Sequence, residues 1–72
     1  MIQNTRSIAS WERIGSEAES ADRRAGNTGP ITDADLRAAL DDHFADDLSN
    51  PEICEDRDAA LGALVSGYRR GA

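Results

Sequence analysis

The large apolar residues recur at three- and four-residue steps, and no stretch alternates apolar with polar residues as a half-buried strand would. This spacing predicts three helices. Ile8, Trp11, Ile14, Ala18, Ala21 and Ala25 share one face of a first helix over 7–25. Beyond Ile14 that face holds only alanine, so its second half buries little and is expected to fray, or to fold only on a partner. Arg23 and Arg24 suit its last turn and Gly26 suits its stop. The Gly26–Pro30 run, GNTGP, sits in a turn over 26–31 and is the clearest break in the chain.

A second helix is predicted over 32–47. Thr32 is a good N-cap, Asp33 and Asp35 fall in the first turn, and Leu36, Leu40, Phe44 and Leu48 repeat every fourth residue as its buried stripe. The Ser49-Asn50-Pro51 run closes that helix and opens a third over 50–70. Either Ser49 and Glu52 form a capping box, or Asn50 caps with Pro51 at the first helical position. Ile53, Cys54, Leu61, Leu64, Val65 and Tyr68 lie on one side of this helix. Arg57 shares that side and is expected to extend along it, or to meet an acid of the second helix such as Asp47. Gly62 and Gly67 weaken the interior by about 1 kcal/mol each relative to alanine, and they permit close packing against another helix. The expected fold is all-α: one domain, a small three-helix bundle whose first helix is ordered only in part.

Length narrows this picture. A chain of 72 residues builds a minimal core and is marginally stable alone, so association with a copy of itself or with another protein would help it. The single cysteine, Cys54, forms no intramolecular disulfide. The N-terminus lacks a basic start followed by an apolar run, and no segment approaches a membrane span. A cytoplasmic protein with no membrane partner is expected.

Charge changes the picture more. The net charge is −6, with fourteen acids against eight basic residues, all of them arginine. Residues 31–58 hold ten of the acids and two of the arginines. Such a field repels nucleic acid and anionic membranes and attracts basic protein surfaces. The densest stretch, LDDHFADDLSNPEICED over 40–56, carries seven carboxylates and neither lysine nor arginine.

On a helical wheel Asp35, Asp42 and Asp46 fall opposite the leucine stripe, while Glu52 and Asp56 point away from the apolar side of the third helix. Asp41 follows Arg37 by one turn, a spacing that allows partial neutralisation. Asp41, Asp42, Asp46 and Asp47 occupy the C-terminal half of the predicted second helix. There the helix dipole disfavours negative charge by about 0.3–1 kcal/mol for the nearest groups. A helix shaped only by folding would place these acids early, so the arrangement points to a partner-binding face at Asp35, Asp42, Asp46, Glu52 and Asp56. The competing account is a solvated, solubilising face.

Other chemistry is poorly supplied. His43 and Asp47 are four apart with Cys54 nearby, but further metal ligands are not evident. His43 is expected half-buried at the edge of the leucine stripe, and Cys54 to be a small core residue. There is no calcium-loop spacing, no nucleophile elbow and no phosphate-cradling loop. No metal, no cofactor and no catalytic residue is therefore predicted. A helix-turn-helix reading of the second and third helices fails on charge, because DNA readers need Lys and Arg against phosphate. A carrier-protein reading fails because Ser49 follows Asp46-Asp47-Leu48 instead of opening a helix in an Asp-Ser-Leu setting. Trp11 and Tyr68, the two large amphipathic rings, read first as core and second as binding anchors.

These features predict a small acidic helical protein that binds a protein with a basic, nucleic-acid-binding surface and keeps nucleic acid out. Phage and mobile-element inhibitors such as anti-CRISPR proteins, and antitoxins, share this size and charge, an analogy of bulk properties and not of motif. The rivals are a structural adaptor or homodimer with an apolar interface, and a metal- or pH-responsive regulator acting through His43.

Overall fold

Ser7 opens the first helix, α1 (Ile8–Arg24), by accepting a hydrogen bond on its hydroxyl from the Ser10 backbone N–H at 3.1 Å. The computed structural model describes residues 6–26 and 32–71. At its far end the Gly26 N–H donates to the Arg23 carbonyl at 3.1 Å, and Gly26 takes φ 79°, the left-handed stop that glycine adopts without strain. The rest of the predicted turn, residues 27–31, lies outside the described residues, as do residues 1–5 with Ile2. Contrary to the expectation of a partly ordered first helix, α1 is helical without interruption over all of Ile8–Arg24.

Thr32 caps α2 (Asp33–His43) as its sequence predicts, its hydroxyl accepting from the Asp35 N–H at 3.2 Å. The predicted single helix over 32–47 is instead two pieces. Phe44 leaves helical geometry at φ −106°, ψ 25°, and a one-turn helix α3 (Ala45–Leu48) follows. The cause lies in the four-residue repeat. On a helix of 3.6 residues per turn each such step drifts by about 40°, so a straight helix would carry Leu48 off the face that Leu36 starts. The bend at Phe44 returns it: Leu36, Leu40 and Leu48 are all buried, and Phe44 packs against them half-buried.

The predicted third helix starts later than 50. Asn50 accepts on Oδ1 from the Glu52 N–H at 3.0 Å, and on its carbonyl from Ile53 and Cys54. This closes a single turn that does not propagate. Asp56 then begins α4 (Arg57–Gly71), its carboxylate accepting from the Ala59 N–H at 3.2 Å and its carbonyl from Ala60. Neither Ser49 nor Asn50 starts the long helix: the Asn50 side chain caps only the single turn that follows it, and Asp56 makes the cap of α4. Among the described residues the structure is all-α, with three principal helices and the single turn of α3.

α4 is the central element, burying Ala60, Leu61, Ala63, Leu64 and Gly67. It runs parallel to α1: Gly15 faces the Leu64–Tyr68 stretch and Ser16 faces Gly71. The two helices touch along a glycine seam. A Cβ built on Gly15 would lie 2.2 Å from the Leu64 carbonyl oxygen, and one on Gly67 would lie 1.9 Å from that of Glu12. Only glycine allows this approach. Gly67 therefore does what its sequence position suggests, whereas a Cβ on Gly62 would meet nothing within 4 Å.

The seam also rotates the face that α1 buries. Trp11, Gly15 and Glu19 are buried, while Ile8, Ala21 and Ala25 of the predicted face are exposed. Buried Glu19 is held by Arg23, whose Nη2 donates to it at 2.7 Å and to the Gly71 carbonyl at 2.6 Å, so one guanidinium ties α1 to the end of α4. α2 runs antiparallel to α4, with Asp33 beside Arg69 at one end and Asp41 beside Arg57 at the other.

Candidate functional site

The five predicted contact acids do not share one helix. Asp35 stands in the first turn of α2 and Asp42 in its last turn; Asp46 opens α3, Glu52 lies in the following turn, and Asp56 precedes α4. All five are exposed. The helix directions sort them into two groups. Because α1 and α4 are parallel and α2 antiparallel, Asp42, Asp46, Glu52 and Asp56 sit at the end where α1 and α4 begin. Asp35 lies about 10 Å away along α2, seven residues at 1.5 Å each.

This arrangement alters the electrostatic argument drawn from sequence. Asp46 and Asp47 are not late in a long helix. The bend at Phe44 puts them in the first turn of α3, and the N-termini of α1 and α4 point at the same end of the bundle, where negative charge is favoured. Asp47 receives Arg6 at 3.0 Å, and Asp41 receives Arg57. Arg57 thus pairs with Asp41 and not with Asp47, and it is exposed instead of lying along the core. Its hydrogen bond to Asp41 raises its pKa further above the ordinary arginine value. Nor does Arg37 meet Asp41; it reaches Asp58 on α4 at 3.1 Å.

The acids thus divide into those with an intramolecular cation and those without. Asp33, Asp41, Asp47, Asp58, Glu12 and Glu19 each have an arginine. Asp35, Asp42 and Asp46 have no ion pair and no side-chain hydrogen bond among the described residues, and the same holds for Glu55. Asp56 is engaged locally, one carboxylate oxygen capping α4. Between Asp35 and Asp42 the outer face of α2 shows Ala38 and Ala39, also exposed. The surface is therefore a stripe of small residues studded with unneutralised carboxylates. Glu55 belongs to the same acidic end but was not singled out from sequence, where a continuous third helix hid it.

The aromatic candidates fall mostly to the core. Trp11 is 2 % exposed, and the Arg6 guanidinium lies over its ring at 5.0 Å from the centroid while also pairing with Asp47. Tyr68 is half-buried, and its hydroxyl donates to Asp22 of α1 at 2.7 Å. That bond, aided by burial, pushes its pKa up to about 12.

His43 is exposed, not half-buried, with its ring edge-on to Phe44 at 4.7 Å. Cys54 is buried as expected, and burial, reinforced by the charge of Asp56, holds its thiol above the ordinary value. Among the described residues no three of His, Cys, Asp and Glu converge on a point where a metal could bind, and no helix is long and apolar enough to cross a membrane. Comparison with protein-family models, with curated proteins and with solved structures finds no match to this chain.

Proposed function

We propose that this protein binds, and thereby inhibits, a partner protein with a basic surface of the kind that holds nucleic acid, using the outer face of α2 and α3. The observation that carries the reading is the division of the acids. Arginine meets Asp33, Asp41, Asp47 and Asp58 on and around α2, while Asp35, Asp42 and Asp46 are exposed without a cation. A face built to fold would place its arginines evenly. This one keeps a net negative stripe that contributes no intramolecular pairing and is available to cations on another molecule. Long-range attraction between such faces speeds encounter, and a few desolvated pairs set the lifetime of the complex. The protein acts here as a binding module and not as an enzyme. Inhibitors carried by phage and mobile elements, anti-CRISPR proteins included, and antitoxins are the functional classes this reading fits.

The test is capture from a lysate of the organism that encodes the protein, with wild type and with Asp42→Lys plus Asp46→Lys. Wild type should retain a basic protein at low salt and release most of it between about 50 mM and 500 mM salt, where the Debye length falls to a few ångströms. The double variant should retain helix content and lose the partner. Equal capture by both proteins, or capture indifferent to salt, would overturn the reading in favour of an apolar interface.

A further inference from the structure

We propose that the groove where α1 and α4 begin is the anchor site for an arginine side chain of the basic partner, a proposal that rests on the reading above and gives it a specific contact. The groove has a volume of about 830 Å³, and Ile8 and Ala59, with the buried Trp11 and Ala60 behind them, supply its apolar lining. Ile8, 51 % exposed, is the one large hydrophobic residue left open to solvent among the described residues. It is the first residue of α1, and nothing in the bundle packs around it as around Trp11, so its open face is a surface available to an incoming chain.

The charge of the groove selects the occupant. Two of its lining residues are arginines, but each already has a carboxylate: Arg6 meets Asp47 and Arg57 meets Asp41. What remains is two carboxylates, whose charge exceeds the partial positive charge, about half a unit each, of the α1 and α4 N-termini. Glu55 has no partner among the described residues, and Asp56 uses only Oδ1, for the Ala59 N–H. An anion would face both carboxylates, and a purely apolar side chain would desolvate them without compensation. A lysine head is compact and strongly hydrated. Arginine instead brings an aliphatic stem that can lie on Ile8 and Ala59 and a planar, weakly hydrated fork that can meet two carboxylates at once. The Trp11 ring is already covered by the chain's own Arg6 guanidinium, so the incoming stem would rest on Ile8 and Ala59.

The probe is hexa-arginine amide, titrated at low salt into isotopically labelled full-length protein and followed by amide and indole chemical shifts. The proposal expects saturable shifts at Ile8, Glu55, Ala59 and the Trp11 indole. It expects them to weaken about tenfold in Ile8→Ser plus Glu55→Gln, the size of one lost charge-assisted contact, and to persist in Asp42→Lys plus Asp46→Lys. Ile8 and Glu55 are both exposed, so an unchanged melting curve verifies that the groove variant is folded. Hexalysine should bind the groove more weakly than hexa-arginine. Shifts confined to residues 35–46 would overturn the groove while leaving the acidic-face reading intact. The absence of saturable shifts at the groove, or equal groove affinity in the Ile8 and Glu55 variant, would overturn it as well.

Discussion

At the scale of single residues the most decisive positions are two glycines of one helix. Gly62 and Gly67 look alike in the sequence, both interior to α4. Gly62 has open space where a Cβ would stand, so Gly62→Ala removes only backbone freedom of the unfolded chain and should stabilise the protein by about 0.5–1 kcal/mol. Gly67 faces the backbone of α1, which cannot move aside as a flexible side chain would, so Gly67→Ala should cost about 1–3 kcal/mol or more. Thermal melts of the two variants should therefore shift in opposite directions, by several degrees each in a domain this small; a Gly67→Ala protein that melts like wild type would contradict the seam.

Tyr68 makes a different prediction. Its folded pKa of about 12 exceeds the unfolded value near 10. The stabilisation from its bond to Asp22 is therefore fully present below pH 10 and is lost as pH rises from about 10 to about 12. Allowing for its partial exposure, the effect is about 1 kcal/mol. Stability measured across that window should fall for wild type, and Tyr68→Phe should remove this part of the fall while lowering stability at neutral pH.

Elements show how much of the architecture was legible and where legibility stopped. Thr32 with Asp33 and Asp35, and Gly26 after Arg23 and Arg24, identified the start of α2 and the end of α1 because these signals act within one turn. The break at Phe44 was implicit in the four-residue leucine repeat, yet a wheel drawn for a straight helix conceals it. The burial of Glu19 and the exposure of Ile8 were not legible, because Gly15 has no side chain to announce that α1 turns this face to α4. The acidic surface was legible as composition; which acids stay unpaired was not, since Arg6, Arg57 and Arg69 reach them across sequence separations of 41, 16 and 36 residues.

The late start of α4 gives a test at this scale. If Asp56 is the cap, Asp56→Ala should cost about 1 kcal/mol, whereas Ser49→Ala, which removes the cap suggested by the capping-box spacing, should be within about 0.5 kcal/mol of wild type. Denaturant melts of the two proteins distinguish the cases, and a larger loss at Ser49 than at Asp56 would restore the longer helix.

For the whole molecule, the way the elements are joined determines which part opens first. α1 and α4 form a pair closed by backbone contact at Gly15 and Gly67, by the Tyr68–Asp22 bond and by Arg23 bridging Glu19 and Gly71. α2 and α3 are attached differently, by Leu36, Leu40 and Leu48 in the core and by arginine pairs at the surface, where ion pairs contribute little each. Opening of α2 and α3 from the α1–α4 pair should therefore require less free energy than global unfolding. Native-state hydrogen exchange should show the slowest amides within Leu61–Gly67 and the facing part of α1. Amides of α2 should exchange roughly ten- to a hundred-fold faster, a gap of about 1.4–2.7 kcal/mol. Raising salt should accelerate exchange in α2 more than in α4, because three surface pairs join α2 to α4 while the α1–α4 seam rests mainly on backbone contact and burial. Uniform protection across the three long helices would mean that the bundle opens as one unit. The predicted gradient places the unpaired carboxylates on the most readily displaced element, so a basic partner that engages Asp42 and Asp46 should slow exchange in α2 and leave the α1–α4 seam unchanged.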